Sequence, residues 1–231
     1  MKKILYSVAL AVCCMGTMTS CSDFLDASNK SNVTAKQSFA TKEGLNNLVN
    51  NAYQHLQNVY AAPLFTSCFS AGTDMYADAR NKMNEVLNTY ETLTPENTDI
   101  KNLYTYLYSG IRAANSVSYY AQTAQVDDKT KNQLIGEARV LAAYEYYLLV
   151  NNFGGVPIMK DFLTTADTGY PKSSSEDVYA YIISELEDVI SKNVLQASTA
   201  TKGGGRISQE TAKAILAKTY LSAAYAIDRK S

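Results

Sequence analysis

The chain has 231 residues, of which 46% are apolar, and 21 Lys and Arg face 22 Asp and Glu for a formal charge of −1. That length and apolar content support one sizeable core. The charge balance excludes an electrostatic footprint for nucleic acid and a polybasic patch for anionic lipid.

The first residues read as an export signal. Met1-Lys2-Lys3 is a short basic start, and Ile4 to Val12 is an apolar run too short to span a bilayer as a helix. Thr19-Ser20-Cys21 then places two small residues before a cysteine. This pattern predicts cleavage before Cys21, with its thiol taking a diacylglycerol and several acyl chains holding the protein to a membrane; an ordinary signal peptide cut elsewhere, with Cys21 incidental, is the alternative. Removal of residues 1–20 takes away Lys2 and Lys3 and no acid, which leaves the remainder near −3. Residues 22–33 are polar and unperiodic, a tether between lipid and fold. The expected organisation is a signal peptide at 1–20, a lipid tether at 21–33 and a helical domain at 34–231. Cys13, Cys14 and Cys21 lie in the leader or at its junction, so Cys68 is left as a single thiol and reads as a small buried apolar side chain.

Helical periodicity dominates the remainder of the chain. Thr34-x-x-Gln37 suggests a capping box for a short helix. Over residues 42–60, Leu45, Leu48, Val49, Ala52, Leu56 and Val59 form one apolar stripe. Residues 61–98, with Pro63, Gly72 and Pro95, have no clear period; a loop or short helices are expected there, and long irregular segments often carry function. Residues 99–124 carry Leu103, Leu107, Ile111, Ala114 and Val117 at helical spacing, and Asp127-Asp128 marks the next start. Residues 129–152 repeat the pattern with Leu134, Ile135, Ala138, Leu141, Ala142, Leu148 and Leu149, and Gly154-Gly155-Val156-Pro157 ends that helix. Ser173-x-x-Glu176 reads as a capping box ahead of Val178, Tyr181, Ile182, Leu186, Val189 and Ile190. Gly203-Gly204-Gly205 is a flexible turn, after which Ser208 caps a last helix. In it, small Ala212, Ala214, Ala217 and Ala223 alternate with Leu216, Tyr220 and Leu221, as close helix packing requires. The fold class is therefore all-α, built of stacked helical hairpins of tetratricopeptide-like type around a loop-rich insertion.

Seven segments in order resemble the SusD/RagB family of outer-membrane lipoproteins from Bacteroidetes. They are Cys21-Ser22-Asp23-Phe24-Leu25-Asp26, Asn51-Ala52-Tyr53, Leu103-Tyr104 through Ala114-Asn115, Gly136-Glu137-Ala138-Arg139 through Ala143-Tyr144, Asn152-Phe153-Gly154-Gly155-Val156-Pro157, Val178-Tyr179 through Glu185-Leu186, and Gly205-Arg206-Ile207-Ser208 leading into Ala214 to Leu221. The resemblance implies a tetratricopeptide-like helical fold. It also implies a lipid-anchored protein on the outer face of the outer membrane, which captures an oligosaccharide or, in some members, a peptide. The implied partner is a SusC-like TonB-dependent transporter that the protein lids; no cofactor and no nucleic acid are implied. Asp23 and Asp26 resemble the signal that carries such lipoproteins outward. Two departures stand out. Family members run to about twice this length, so the chain reads as an N-terminal SusD-like domain without the family's C-terminal half, its last helix exposing an apolar face. Trp is absent, and Leu103 stands where the family often has it.

Little in the sequence points to catalysis. Glu137 and Arg139 lie two apart on one helix and do not face each other, so each is expected to contact a neighbouring helix. His55 is the sole histidine and falls beside the apolar stripe of its helix, as a surface or boundary residue. The Gly203–Gly205 run lacks the Lys-Ser/Thr of a phosphate loop. No cluster has metal-ligand spacing, and no carboxylate pair is singled out for glycoside hydrolysis. The ligand-binding candidates lie in the irregular segment: Asp74, Tyr76, Arg80, Asn81 and Tyr90, with Asp78 beside them. Aromatic faces suit sugar C–H surfaces, and planar polar groups suit vicinal hydroxyls; the 18 Tyr serve such contact as well as helix packing. A non-enzymatic glycan-binding lipoprotein is the leading expectation, a helical-repeat scaffold that binds only protein the alternative.

Overall fold

The structure is a computed structural model that describes residues 35–61, 63–76, 85–165, 169–198 and 205–228. The leader, Cys21, the tether and Thr34 lie outside them. Among the described residues seven α-helices occur in order: α1 (Ala35–Ser38), α2 (Lys42–Tyr60), α3 (Glu85–Thr89), α4 (Thr98–Ala121), α5 (Asp128–Phe153), α6 (Ser175–Lys192) and α7 (Gln209–Asp228). A π-helical turn, Thr66–Ser70, sits between α2 and α3, and no strand occurs among the described residues.

Each long helix begins where a short polar side chain takes up the orphan N–H groups of its first turn. Thr41 accepts from Gly44 N–H at 3.1 Å, Asn97 from Asp99 and Ile100 at 3.0 and 3.1 Å, Asp127 from Thr130 at 2.9 Å, and Ser208 from Thr211 at 3.2 Å. Asp127, Gly154 and Ser208 thus mark ends where their residue types place them. Gly154 closes α5 at φ +70°, a left-handed conformation that glycine adopts without steric cost.

The capping box of α6 lies one residue further on than the spacing suggests. Ser174, not Ser173, accepts from the N–H of Asp177 at 3.1 Å, and Asp177 returns a bond to the Ser174 N–H. Ser173 is held elsewhere: its N–H donates to Val156 O at 3.3 Å, and its carbonyl lies where a Cβ on Gly155 would be. Replacing Ser174 by alanine is expected to cost about 1 kcal/mol in urea-induced unfolding. Ser173→Ala should cost far less, and equal costs would show the box misassigned.

Each long helix packs on its neighbour in sequence, α2 on α4, α4 on α5, α5 on α6 and α6 on α7, while α2 also reaches α5. The α4–α5 pairing runs antiparallel: Tyr104 meets Phe153, Tyr108 meets Tyr146 and Gly110 meets Glu145. The result is a tetratricopeptide-like series of hairpins. Its core takes the predicted stripes: Leu45, Leu48, Val49, Ala52 and Val59 from α2, Leu103, Leu107, Ile111, Ala114 and Val117 from α4, and Val178, Ile182, Leu186 and Val189 from α6 are all buried. Leu56 is half-buried against them.

On α7 the packing face differs from the expected one. Ala212, Ile215, Thr219 and Ala223 point inward at 3–4 residue spacing, whereas Ala214 and Ala217 face outward. Helical geometry explains this, because residues two apart cannot share a face. Tyr220, Leu221 and Tyr225 remain exposed on the outer side, Leu221 at 75%.

Candidate functional site

The irregular segment after α2 is organised around Gly72. The Gly72 N–H donates to the Asn88 side-chain oxygen at 3.1 Å, and the Tyr90 hydroxyl occupies the place of a Cβ on Gly72. Only glycine admits that approach, and its φ of +75° suits glycine as well. Thr73 Oγ1 donates to Ser70 O at 2.7 Å, and Tyr76 N–H donates to Thr73 O at 3.3 Å, which forms a turn over 73–76. Tyr90 itself succeeds α3 with φ +62°, a left-handed conformation uncommon for an aromatic residue; such strain of about 1–3 kcal/mol concentrates at binding sites.

Gly72 thus joins Tyr90 to the turn that carries Asp74 and Tyr76. Asp74 is exposed and Tyr76 half-buried on the turn that Gly72 holds against the exposed Tyr90. Arg80, Asn81 and Asp78 lie outside the described residues. Tyr90 also borders a hollow of about 390 Å³ lined by Cys68, Leu87, Leu93, Asn152 and Phe153; Asp74 and Tyr76 do not line it. Cys68 is half-buried rather than buried. Burial, reinforced by the nearby Asp99 charge, pushes its thiol up to about 11, so it stays protonated and unreactive at neutral pH.

A larger groove, about 840 Å³, opens between α4 and the segment 157–165. The segment is an extended strap whose alternate carbonyls α4 holds. Tyr108 Oη donates to Pro157 O at 2.8 Å, Asn115 Nδ2 to Met159 O at 2.8 Å and Asp161 O at 3.4 Å, and Arg112 Nη2 to Leu163 O at 3.4 Å. From α5, the buried Tyr146 accepts from Met159 N–H at 2.7 Å. Arg112 is absent from the sequence candidates, and Tyr104 and Tyr108 enter there only within a family motif. The recurrence of Tyr104, Tyr108, Arg112 and Asn115 at spacings of four and three is the available signal, since it puts them on one face of α4.

Charged residues elsewhere are structural. Arg139 reaches across to α6, pairing with Glu185 at 2.7 Å and Asp188 at 2.6 Å. Glu137, 1% exposed, meets Arg206 at 2.7 Å and accepts from Tyr53 Oη at 3.3 Å. His55 is half-buried on α2, burial lowers its pKa, and its Nδ1 has no hydrogen-bond partner. Among the described residues no three His, Cys, Asp or Glu come together as a metal site.

The fold and these clefts define an all-helical, tetratricopeptide-like scaffold with aromatic-lined hollows on its surface. A SusD-like family model, described as starch-binding and associating with the outer membrane, matches residues 23–221, and the chain belongs to that family. A SusD-like protein of Bacteroides ovatus is 29% identical over 134 residues, covering 56% of this chain and 24% of that protein. A SusD-like protein of Formosa agariphila is 27% identical over 190 residues, covering 80% of this chain and 36% of that one. The chain thus spans about a quarter to a third of the length of these relatives. Among solved structures, surface glycan-binding protein A from Bacteroides uniformis superposes with a TM-score of 0.65 at 25% identity, covering 77% of this chain and 41% of that one. A SusD homologue from Bacteroides thetaiotaomicron gives 0.68 at 23% identity over 83% and 38%, a likeness of fold.

Proposed function

We propose that this chain is a surface glycan-binding protein of the outer membrane, without catalytic activity. The observation that carries the reading is the family match over residues 23–221, whose description is starch-binding and outer-membrane association. The arrangement around Gly72 supports it, since an aromatic face at Tyr90 stands beside a turn offering Asp74 and Tyr76. Arg80 and Asn81 complete the contact set in this proposal. The ligand is an oligosaccharide, with a peptide as the alternative. The partner is a SusC-like TonB-dependent transporter. Attachment in this proposal is through lipids at Cys21, joined to the domain at 34–231 by the 22–33 tether; no helix among the described residues is long and apolar enough to cross a membrane. A tether of that length would hold binder and transporter at high effective concentration. The exposed Tyr220, Leu221 and Tyr225 of α7 favour protein contact as a second role of the scaffold.

Affinity electrophoresis against a panel of soluble glycans tests the reading. Wild-type chain should be retarded by at least one glycan. Tyr90→Ala should weaken that binding about tenfold, the equivalent of one aromatic platform worth about 1.4 kcal/mol. Failure of the wild-type chain to bind any glycan would overturn the proposal, and unchanged binding by both Tyr90→Ala and Asp74→Ala would move the site elsewhere.

A further inference from the structure

We propose that the groove between α4 and the 157–165 strap is a second oligosaccharide site, specific for uncharged sugar. This rests on the glycan-binding reading above and adds a site that the irregular segment does not include.

The groove is preorganised. Four strap carbonyls, at residues 157, 159, 161 and 163, are held by α4 side chains, and Tyr146 fixes the Met159 N–H from below. The wall therefore exists before any ligand arrives, and a ligand need not order it. The volume of about 840 Å³ lies within the range of about 300–1,000 Å³ typical of small-molecule clefts.

Its lining suits a sugar. Tyr104 and Tyr108, with ring centroids 4.8 Å apart, give an aromatic floor; Arg112 and Asp161 stand along it, with Thr164 and Thr165 at its edge. Arg112 is exposed and stacks over the Phe162 ring at 5.3 Å, with only the long 3.4 Å bond to Leu163 O. Neither Arg112 nor Asp161 has an ion-pair partner among the described residues. A guanidinium and a carboxylate that share a groove without neutralising each other match a ligand that both donates and accepts. Sugar hydroxyls do both: a vicinal pair accepts from the planar fork of Arg112 and donates to the carboxylate of Asp161, while the C–H face of the ring lies on tyrosine. A uronate or sulfated sugar would find the Arg112 charge offset by that of Asp161 in the same groove, so its negative charge gains nothing there over a neutral sugar.

Isothermal titration of the chain with maltoheptaose, laminariheptaose and an oligogalacturonate tests the site. Arg112→Ala and Tyr104→Ala should each weaken binding of a neutral heptaose about tenfold or more, with a binding component surviving Tyr90→Ala. Sugar should also slow hydrogen exchange at amides of 157–165. Because Arg112 is exposed and gives the strap a single 3.4 Å bond, its variant should shift the thermal transition only slightly and decides the matter if Tyr104→Ala perturbs folding. If the neutral sugar binds but both α4 variants bind it as wild type does, the second site is wrong while the glycan-binding reading stands. Tighter binding of the oligogalacturonate overturns the specificity for uncharged sugar, and no binding of either heptaose overturns this site, while the glycan-binding reading itself stands or falls with the wider panel.

Discussion

Replacing Arg206 by methionine is expected to destabilise the fold by about 3–5 kcal/mol, because it leaves the buried Glu137 carboxylate without its cation. The guanidinium does three things at once. Nε lies 2.7 Å from Glu137, Nη1 donates to Asn50 at 3.0 Å and Nη2 to Asn46 at 3.2 Å, so one planar group ties the approach to α7 onto both α2 and α5. Tyr53 closes the cluster from below: Arg206 lies over its ring at 5.6 Å, and its hydroxyl accepts from Ile207 N–H at 2.8 Å while donating to Glu137. Burial, the largest influence on that hydroxyl, pushes it up to about 12, so it remains a donor to the carboxylate throughout the neutral range. Arg206→Lys should restore little, since an ammonium cannot supply three fixed donors in one plane. Arg206→Met combined with Glu137→Met should recover much of the loss, because the charge left stranded is then removed as well. Urea unfolding of the four proteins in this cycle measures it. A single-variant cost below about 1 kcal/mol, or additive singles, would mean that the pair does not hold α7 in place.

That cluster also shows which parts of the structure are legible in the sequence. The stripes of α2, α4 and α6 need only the 3.6-residue period, and Asp127 and Gly154 declare helix ends by residue type alone. Glu137 can be read as reaching a neighbouring helix, yet nothing local indicates that its cation is Arg206, far along the chain. The capping box fails for a different reason. Ser173-x-x-Glu176 and Ser174-x-x-Asp177 are equally good local patterns, and the choice between them comes from the bond of Ser173 to Val156, a tertiary fact. The α7 face is misjudged because size alone suggests that its alanines pack, whereas direction decides what is buried. In the irregular segment, residue types suggest Asp74, Tyr76 and Tyr90, but the approach of Tyr90 to the Gly72 turn is a tertiary fact. The α4 groove is least legible of all. Half of its wall is the strap, placed there by bonds such as Tyr108 to Pro157 that span 49 residues.

Gly110→Ala should destabilise the fold by about 1–2 kcal/mol. A Cβ at Gly110 would overlap the Glu145 carboxyl, whose atoms are the three nearest to that position. Glu145 cannot swing away at low cost, because it is fully buried on α5 in a close-packed interior. Overpacking of this kind costs about 1–3 kcal/mol, and it here outweighs the gain of about 1 kcal/mol that alanine brings to a helix interior. Glu145→Ala should therefore reverse the sign, so that Gly110→Ala stabilises in that background and the coupling reaches about 2–3 kcal/mol. The same burial sets a pH dependence. Desolvation raises the Glu145 pKa well above the ordinary carboxylate range, so the folded protein holds a proton that the unfolded chain releases near about pH 4.3. Stability from this group is therefore complete below about pH 4.3 and is lost as pH rises toward the raised folded value, at about 1.4 kcal/mol per pH unit. Glu145→Gln keeps the shape without the proton, so its stability relative to wild type should climb from about pH 4.5 to neutrality. Urea unfolding across that range separates the two proteins. A parallel pair of curves would mean that Glu145 is ionised in the fold and that a cation reaches it.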